Sequence, residues 1–187
     1  MLIHNGTQQI ETDRLILRRF TYKDDNDMLK NWANDPKVQF MYAEPVYATK
    51  QEVNGLLEKY IEAYNNKDCY RWAIILKQTD ECIGQIAFFL VDNNNHFGEI
   101  EYCVGCDFQK RGLATEATKA VIRFGFEKIN FHKIQISHKE NNPASKKVIE
   151  KCKFTYEGTL RDFFYEKDNY IDRLYYSLLK EEWQSTQ

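Results

Sequence analysis

One helix and the two strands that flank it constrain the fold of this chain more than any other segment. Between Leu113 and Ile129 the apolar residues recur at the spacing of a helix with one buried face. These residues are Leu113, Ala117, Ala120, Val121 and Phe124. Segments of strand length lie before and after it, at residues 99–105 and 133–137. The pattern therefore predicts a strand–helix–strand unit whose helix packs on a sheet.

The rest of the pattern adds strands and helices on both sides of this unit. A strand is predicted at residues 10–20, a helix at 24–34 with Pro36 just beyond its end, and a second helix from a Thr49 cap to Tyr64. The other predicted elements are strands at 70–76, 82–91, 155–165 and 170–179, and a helix at 144–151. This order predicts an α/β (α+β) fold with a mixed sheet and helices on its faces.

Size and charge limit the classes of protein to which the chain can belong. Its 187 residues are expected to form a single domain, residues 1–187. A formal net charge of −2 and scattered Lys and Arg argue against a nucleic-acid-binding face. The sequence has no apolar run near the roughly 18 residues that cross a bilayer, and residues 1–9 do not resemble a signal peptide. We therefore expect a cytoplasmic protein with no membrane and no nucleic-acid partner.

The five cysteines favour a reducing compartment, because their number is odd and no secretory signal precedes them. Cys103 and Cys106 form a C-x-x-C pair, but a zinc site needs two further ligands. The sequence has no second pair, and His96 and His132 do not stand at a ligand spacing. We expect no metal and interpret the cysteines as structural.

The loop that enters the long helix is the candidate for chemistry. Its sequence is Gln109-Lys110-Arg111-Gly112-Leu113-Ala114. The start of a helix presents unpaired N–H groups and a partial positive charge, which together form an anion site. Gly112 has no Cβ and would let a phosphate approach the backbone, while Lys110 and Arg111 add charge. A phosphate-binding loop is one interpretation, and an ordinary entry into a helix is the other.

Four motifs, in order along the chain, resemble the GNAT superfamily of N-acetyltransferases. The loop Q-K-R-G-L-A is similar to the family's Q/R-x-x-G-x-G/A motif, which binds the pyrophosphate of acetyl-CoA. Residues 142–145 (N-P-A-S) and 146–154 resemble its N-x-x-S segment and E-K-x-G-F run, although Lys153 stands where the family has Gly. Residues 11–18 and 175–180 resemble the start and end of the ribosomal-protein-alanine N-acetyltransferase (RimJ/RimL-like) branch.

This resemblance implies the GNAT fold, with a mixed, mostly antiparallel central sheet of about seven strands and helices on both faces. It also implies an enzyme that transfers an acetyl group from acetyl-CoA to a primary amine directly, without a metal and without an acyl-enzyme. Cys103 is therefore not expected to be a nucleophile, and no partnering His is evident in the sequence.

The resemblance implies catalytic roles for three residues. Glu99 and Glu101 are the candidate bases, and their spacing of two places both on one face of a strand. Glu99 matches the family position best, and Ser145 is the implied proton donor to the leaving thiolate. Contacts to acetyl-CoA are implied for Cys103, Val104, Gln109, Lys110, Arg111, Gly112, Leu113, Ala114, Thr115, Asn142 and Ser145. Asn142 can equally serve as a helix cap, and both roles can hold together.

The acceptor is the part of the function that the sequence determines least. A protein N-terminal α-amine is the first choice, and a polyamine or aminoglycoside is the alternative, because the tail from residues 158–160 through 171–173 also resembles spermidine acetyltransferases. A dense acidic pocket would favour a polyamine.

Four aromatic residues near the last turn could line the pocket, but we expect most of them to pack in the sheet core: Phe163, Phe164, Tyr165 and Tyr170. A non-catalytic acyl-CoA-binding module is the alternative of another class, and both a monomer and a homodimer remain open.

Overall fold

Eight strands form one sheet in the computed structural model of the chain, which describes residues 1–42 and 44–185. The strands are β1 (Ile10–Glu11), β2 (Leu15–Arg18), β3 (Tyr70–Leu76), β4 (Glu81–Asp92), β5 (Phe97–Val104), β6 (Lys133–Lys139), β7 (Thr155–Glu166) and β8 (Asn169–Leu179). They lie in the order β1-β2-β3-β4-β5-β6-β8-β7. Among the described residues, β5 and β6 pair in parallel and the other neighbours pair antiparallel. The predicted mixed, mostly antiparallel sheet is confirmed.

The predicted first strand, residues 10–20, is broken in two, which makes the count eight rather than seven. A turn separates β1 from β2, and the Thr12 N–H donates to the Leu15 carbonyl across it (3.0 Å). The two short strands then pair with each other as a hairpin. The break matters for the site, because it frees Thr12 and Arg14 to reach Glu116 in a helix on one face of the sheet.

Helices lie on both faces of the sheet, as predicted. They are α1 (Asp25–Met28) with its continuation Leu29–Ala33, α2 (Pro36–Tyr42), α3 (Lys50–Ala63), α4 (Leu113–Phe124) with its continuation Gly125–Ile129, α5 (Pro143–Lys151) and α6 (Lys180–Gln184). The Thr49 cap is confirmed: its side chain accepts from the Glu52 N–H, and Glu52 binds back to the Thr49 N–H. The pattern does not predict α2 and α6, since each is two turns or shorter. Pro36 follows the first helix and also opens α2, where a missing N–H costs nothing.

The sheet separates two apolar cores. On one face, α4 and α5 pack Val121 and Ile149 into the same core as Ile100. On the other face, α1 and α3 contribute Met28 and Leu57. Successive side chains of β5 alternate between the two faces. Those on the side of α4 and α5 are Ile100, Tyr102 and Val104, and those on the opposite side are Glu99, Glu101 and Cys103.

The parallel strands β5 and β6 separate partway along their length. They are paired from Phe97 opposite Lys133 to Ile100 opposite Ile136, and no further. Beyond that point β5 stays with β4, and β6 stays with β8. The wedge that opens between them lies in front of the N-termini of α4 and α5. Within residues 1–42 and 44–185, we find no helix with the length and apolar character needed to cross a membrane.

Candidate active site

A cavity of about 940 Å³ fills the wedge between β5 and β6. On the side of α4 and α5 it is lined by the start of both helices and by Tyr102. On the opposite side it reaches Glu101, Tyr42 and Glu44. The cavity therefore passes through the sheet, and a molecule held on one face can meet a molecule that enters from the other.

The loop before α4 has the backbone shape of an anion site. Lys110 and Gly112 both adopt left-handed conformations, with φ of 60° and 78°. The first intrahelical bond runs from the Glu116 N–H to the Gly112 carbonyl (3.0 Å), so the N–H groups of residues 113–115 have no acceptor within the helix. A Cβ on Gly112 would lie 3.6 Å from Arg14, which is an ordinary contact. Glycine is therefore required here for its positive φ rather than for space.

Most of the predicted loop residues line the cavity. They are Gln109, Lys110, Gly112, Leu113, Ala114 and Thr115. Arg111 does not, since its guanidinium lies over the Phe108 ring, 6.0 Å from the ring centre. The side chain of Gln109 donates to the Val104 carbonyl (2.9 Å), which ties the loop to the end of β5.

The N-terminal segment holds this loop in place. Arg14 forms an ion pair with Glu116 of α4 (2.6 Å) and also donates to the Arg111 carbonyl (2.9 Å). The Thr12 hydroxyl donates to the same Glu116 carboxylate (2.6 Å). The Thr-x-Arg pattern near the start of the chain thus supports the anion site from more than 100 residues away.

The start of α5 confirms the predicted cap and brings in a residue that the sequence analysis missed. The Asn142 side chain accepts from the Ser145 N–H (3.1 Å), and Pro143 occupies the first turn. The Ser145 hydroxyl lies 3.0 Å from the hydroxyl of Tyr102, which comes from β5. Burial raises the pKa of Tyr102, so the phenol stays protonated at neutral pH. The strand alternation places Tyr102 on this face, but the pattern gives no sign of its partner.

The two candidate bases lie on one face of β5, as predicted, but in different surroundings. Glu99 is 3% exposed and accepts from Arg173 (2.8 Å) and from the Ser137 hydroxyl (3.1 Å). Burial raises the pKa of Glu99, and both partners act against that rise. Glu101 accepts from Arg71 (2.8 Å) and lines the cavity, whereas Glu99 is not among the lining residues.

Cys103 is buried beside these carboxylates and shows no sign of being a nucleophile. Burial raises the pKa of its thiol to about 12, so the reactive thiolate is scarce at neutral pH. Its backbone N–H also points away from the wedge. The Gly105 N–H donates to the Ile83 carbonyl of β4 (2.9 Å). Because the N–H groups of successive residues in a strand point to opposite neighbours, the Cys103 N–H also faces β4, whereas the Val104 N–H faces the wedge. In the described part of the chain, no group of three or more His, Cys, Asp or Glu side chains could hold a metal ion.

On the sheet face opposite α5, Lys139 lines the mouth of the cavity and is buried at the end of β6. Its ammonium group pairs with Glu166 at the tip of the β7–β8 hairpin and donates to the Phe40 carbonyl in α2. It also lies over the rings of Phe40 (4.7 Å) and Phe164 (4.9 Å). One cation thus joins a strand, a helix and a hairpin around the opening.

Of the four aromatic residues of the hairpin, Phe164 lines the cavity. The expectation that most of them pack in the sheet core is wrong. Phe163, Tyr165 and Tyr170 are exposed, at 47%, 64% and 63%. The reason is that β7 is an edge strand and the hairpin tip extends past the core.

A splayed pair of parallel strands in front of an anion-binding helix start defines a GNAT-type N-acetyltransferase. The family described as acetyltransferase (GNAT) domain matches residues 14–155, and the chain belongs to this family. It is accordingly an N-acetyltransferase that uses acetyl-CoA, as predicted.

Three relatives illustrate how far this likeness extends. The chain is 29% identical to p20 of Bacillus licheniformis, named as an uncharacterised N-acetyltransferase, over 176 residues that cover 94% of this chain and 98% of p20. It is 34% identical to YdaF of Bacillus subtilis, named as a candidate ribosomal N-acetyltransferase, over 101 residues that cover 54% and 55%. The solved structure of spermidine N-acetyltransferase from Vibrio cholerae, in complex with CoA and spermine, matches with a TM-score of 0.80 at 21% identity and covers 92% of this chain and 99% of that one. The predicted likeness to ribosomal acetyltransferases is confirmed, and these names leave the acceptor open.

Proposed function

We propose that the chain transfers the acetyl group of acetyl-CoA to a protein N-terminal α-amine, and that Glu101 assists removal of the proton from that amine. The observation that carries this proposal is the cavity that crosses the sheet, with Ser145 on one face and Glu101 on the other. A donor bound on the first face and an amine that enters from the second can therefore meet in the wedge. Such positioning supplies much of the rate of a direct transfer.

The residues at the start of α4 and α5 fit acetyl-CoA. The free N–H groups of residues 113–115 and the Lys110 ammonium suit a pyrophosphate. The Val104 N–H and the Asn142 side chain lie where they would hold an amide-containing arm. When bound there, acetyl-CoA supplies an activated thioester. The Val104 N–H would also polarise its carbonyl group, as a donor in an oxyanion hole does.

On the acceptor side, Glu101 is the better placed of the two predicted bases. Its carboxylate lines the cavity, and Arg71 holds it in place by binding one of its oxygens. It would accept the proton of the incoming ammonium through a water molecule. Glu99 instead supports this arrangement from behind, because Arg173 and Ser137 occupy it. Ser145 would donate to the thiolate sulfur on the other face.

The charges around the acceptor opening favour a single amine over a polyamine. Glu101 is neutralised by Arg71 and Glu99 by Arg173, so neither carboxylate adds net negative charge. Lys139 also lines the cavity and is paired with Glu166, which leaves Lys37 against Glu44 as the remaining carboxylate. A polyamine carries several positive charges and would need several unpaired carboxylates, which the described lining residues do not offer. A peptide places its one ammonium group near Glu101 and the rest of its chain outside.

The test follows the release of free thiol from acetyl-CoA with a panel of amines: short peptides with varied N-termini, polyamines and aminoglycosides. We expect turnover with peptides. Glu101→Gln should lower kcat by about 100-fold, in the range of general-base catalysis, and Glu99→Gln should lower it less. Turnover on polyamines alone would overturn the proposed acceptor. Binding of acetyl-CoA with no turnover on any amine would instead indicate a non-catalytic acyl-CoA-binding module.

A further inference from the structure

Tyr102 and Ser145 form a hydroxyl pair that the proposed function does not yet use. Tyr102 comes from β5 and Ser145 from the first turn of α5, and their oxygens are 3.0 Å apart. Both side chains line the cavity. The pair therefore spans the wedge at the place where the strand and the helix approach each other.

The donor of this hydrogen bond follows from what each hydroxyl needs. A partly buried tyrosine O–H favours an acceptor from the protein, and among the described residues the one that the Tyr102 hydroxyl reaches is the Ser145 oxygen. Tyr102 therefore donates and Ser145 accepts. A serine hydroxyl has one proton and can donate and accept together. With its oxygen occupied by Tyr102, Ser145 is free to direct its proton into the cavity.

The backbone of Ser145 is fixed by an independent contact. Its N–H donates to the Asn142 side chain (3.1 Å), which sets the first turn of α5. Serine in a helix can otherwise turn its hydroxyl back to a carbonyl of the preceding turn. Tyr102 opposes this, because the back-bonded rotamer would take away the protein acceptor of its partly buried phenol. Two residues thus determine where the Ser145 proton points.

We propose that Tyr102 is a positioning residue for the reaction, which holds the Ser145 hydroxyl toward the departing sulfur. This inference rests on the proposed function, in which Ser145 donates to the thiolate. The amine nitrogen forms a bond to the acetyl carbon, the carbon–sulfur bond breaks, and its electron pair stays on sulfur. Before attack, one proton of the ammonium passes to Glu101 through water. As the carbon–nitrogen bond forms, a second proton leaves the nitrogen to water in the cavity, Ser145 gives its proton to sulfur, and that water returns one to Ser145. Tyr102 stays protonated, and its hydrogen bond stabilises the Ser145 oxygen during this exchange.

A double-mutant cycle tests the proposal, using the amine that the wild-type protein acetylates. Tyr102→Phe keeps the ring and removes the hydroxyl, and we expect kcat to fall about tenfold. The KM for acetyl-CoA should stay within about twofold, because the lost interaction serves the departing sulfur. Ser145→Ala should lower kcat by about 100-fold. Adding Tyr102→Phe to Ser145→Ala should then have no further effect, since Tyr102 acts through Ser145.

Tyr70→Phe is the matched control, since it removes another tyrosine hydroxyl that binds a side chain, His4 at 2.9 Å, at a place that does not line the cavity. It should leave kcat unchanged, and the urea midpoints of both Phe variants should show that each is folded. If the losses of Tyr102→Phe and Ser145→Ala add in the double mutant, or if kcat falls equally in Tyr102→Phe and in the control, Tyr102 serves packing. Either result would overturn this inference and leave the proposed function standing. An unchanged kcat in Ser145→Ala would overturn the role of Ser145 as well. A wild-type protein with no turnover on any amine would overturn the proposed function and this inference with it.

Discussion

The two faces of β5, on which we propose that the two substrates meet, are built in different ways. On the proposed cosubstrate face (Tyr102, Gly112, Asn142 and Ser145), the groups proposed to meet the ligand are largely backbone groups, set by a left-handed glycine and a helix cap. On the proposed acceptor face, charged side chains are held by partners from other strands, as in the pairs Arg71–Glu101 and Arg173–Glu99. The backbone shape of the first arrangement is set by residues close in sequence, with Thr12 and Arg14 supporting it from far along the chain. The second arrangement depends on pairs of distant residues throughout. The two faces should therefore fail in different ways when they are altered.

The largest effect is expected at Gly112, where a substitution should alter the cosubstrate face and leave the acceptor face intact. Gly112→Val places a branched side chain at a φ of 78°, a conformation that costs an ordinary residue about 1–2 kcal/mol and a β-branched one more. The loop should leave its anion-binding shape to relieve this strain. We expect the Kd for acetyl-CoA, measured by titration calorimetry, to rise by about 10- to 100-fold.

Gly55→Ala provides the control for this variant, because Gly55 lies inside α3 and a Cβ there meets no atom within 4 Å. It should leave the Kd for acetyl-CoA unchanged and stabilise the fold by about 0.5–1 kcal/mol. If Gly112→Val bound acetyl-CoA as tightly as wild type, the positive φ would not be what shapes the site.

The same contrast explains which parts of the molecule the sequence predicts. The loop at 109–115 and the cap at Asn142 are contiguous motifs whose turn and cap depend mainly on nearby residues. The loop residues apart from Arg111 line the cavity, and the cap forms as expected. The pairing of Glu101 with Arg71 joins residues 30 apart, and that of Glu99 with Arg173 joins residues 74 apart. No periodicity encodes such contacts, so the different surroundings of the two carboxylates are seen only in the structure. The hydroxyl pair of Tyr102 and Ser145 is hidden for the same reason.

A smaller effect is expected from Arg71→Met, which breaks the acceptor face and spares the cosubstrate face. Arg71 has 17% of its side chain exposed, binds Glu101 and lies 4.3 Å over the Tyr60 ring. Its removal leaves a partly buried carboxylate without its partner, at a cost of about 2–3 kcal/mol in the free energy of unfolding. Urea unfolding should report this loss, while the Kd for acetyl-CoA should change less than twofold, a threshold of about 0.4 kcal/mol.

Lys77→Met is the matched control for Arg71, because Lys77 pairs with the exposed Glu11 (3.2 Å). An exposed pair contributes at most about 1 kcal/mol, so this variant should unfold near the wild-type urea concentration. Equal losses from both variants would show that the Arg71–Glu101 pair is no more than a surface ion pair. A large rise in the Kd for acetyl-CoA in Arg71→Met would show that the two faces are coupled.

The smallest effect, and the one that sharpens the comparison most, is the pH dependence of stability contributed by Glu99. Burial raises the pKa of Glu99 in the folded chain above its usual value, even though Arg173 and Ser137 oppose the change. The folded state therefore holds this proton more tightly than the unfolded state, and stability is lost as the pH rises through the folded-state pKa. Glu99→Gln does not titrate, so wild type should lose stability relative to this variant as the pH increases from about 4.5, the usual pKa of the carboxyl.

Glu157 in the same sheet completes this test, because its pKa is shifted in the opposite direction. Hydrogen bonds from Ser177 and Lys133 lower the pKa of Glu157, so its contribution to stability is present above its usual pKa and is lost as the pH falls. Urea midpoints of wild type, Glu99→Gln and Glu157→Gln between pH 4 and 8 should thus give two difference curves of opposite slope. Parallel curves would mean that Arg173 outweighs burial at Glu99, and Glu99 would then be a charged partner of Arg173 at all these pH values. Opposite slopes would mean that the charged form of Glu99 destabilises the fold. This result fits a residue that is retained to hold Arg173 and Ser137 behind the reacting groups.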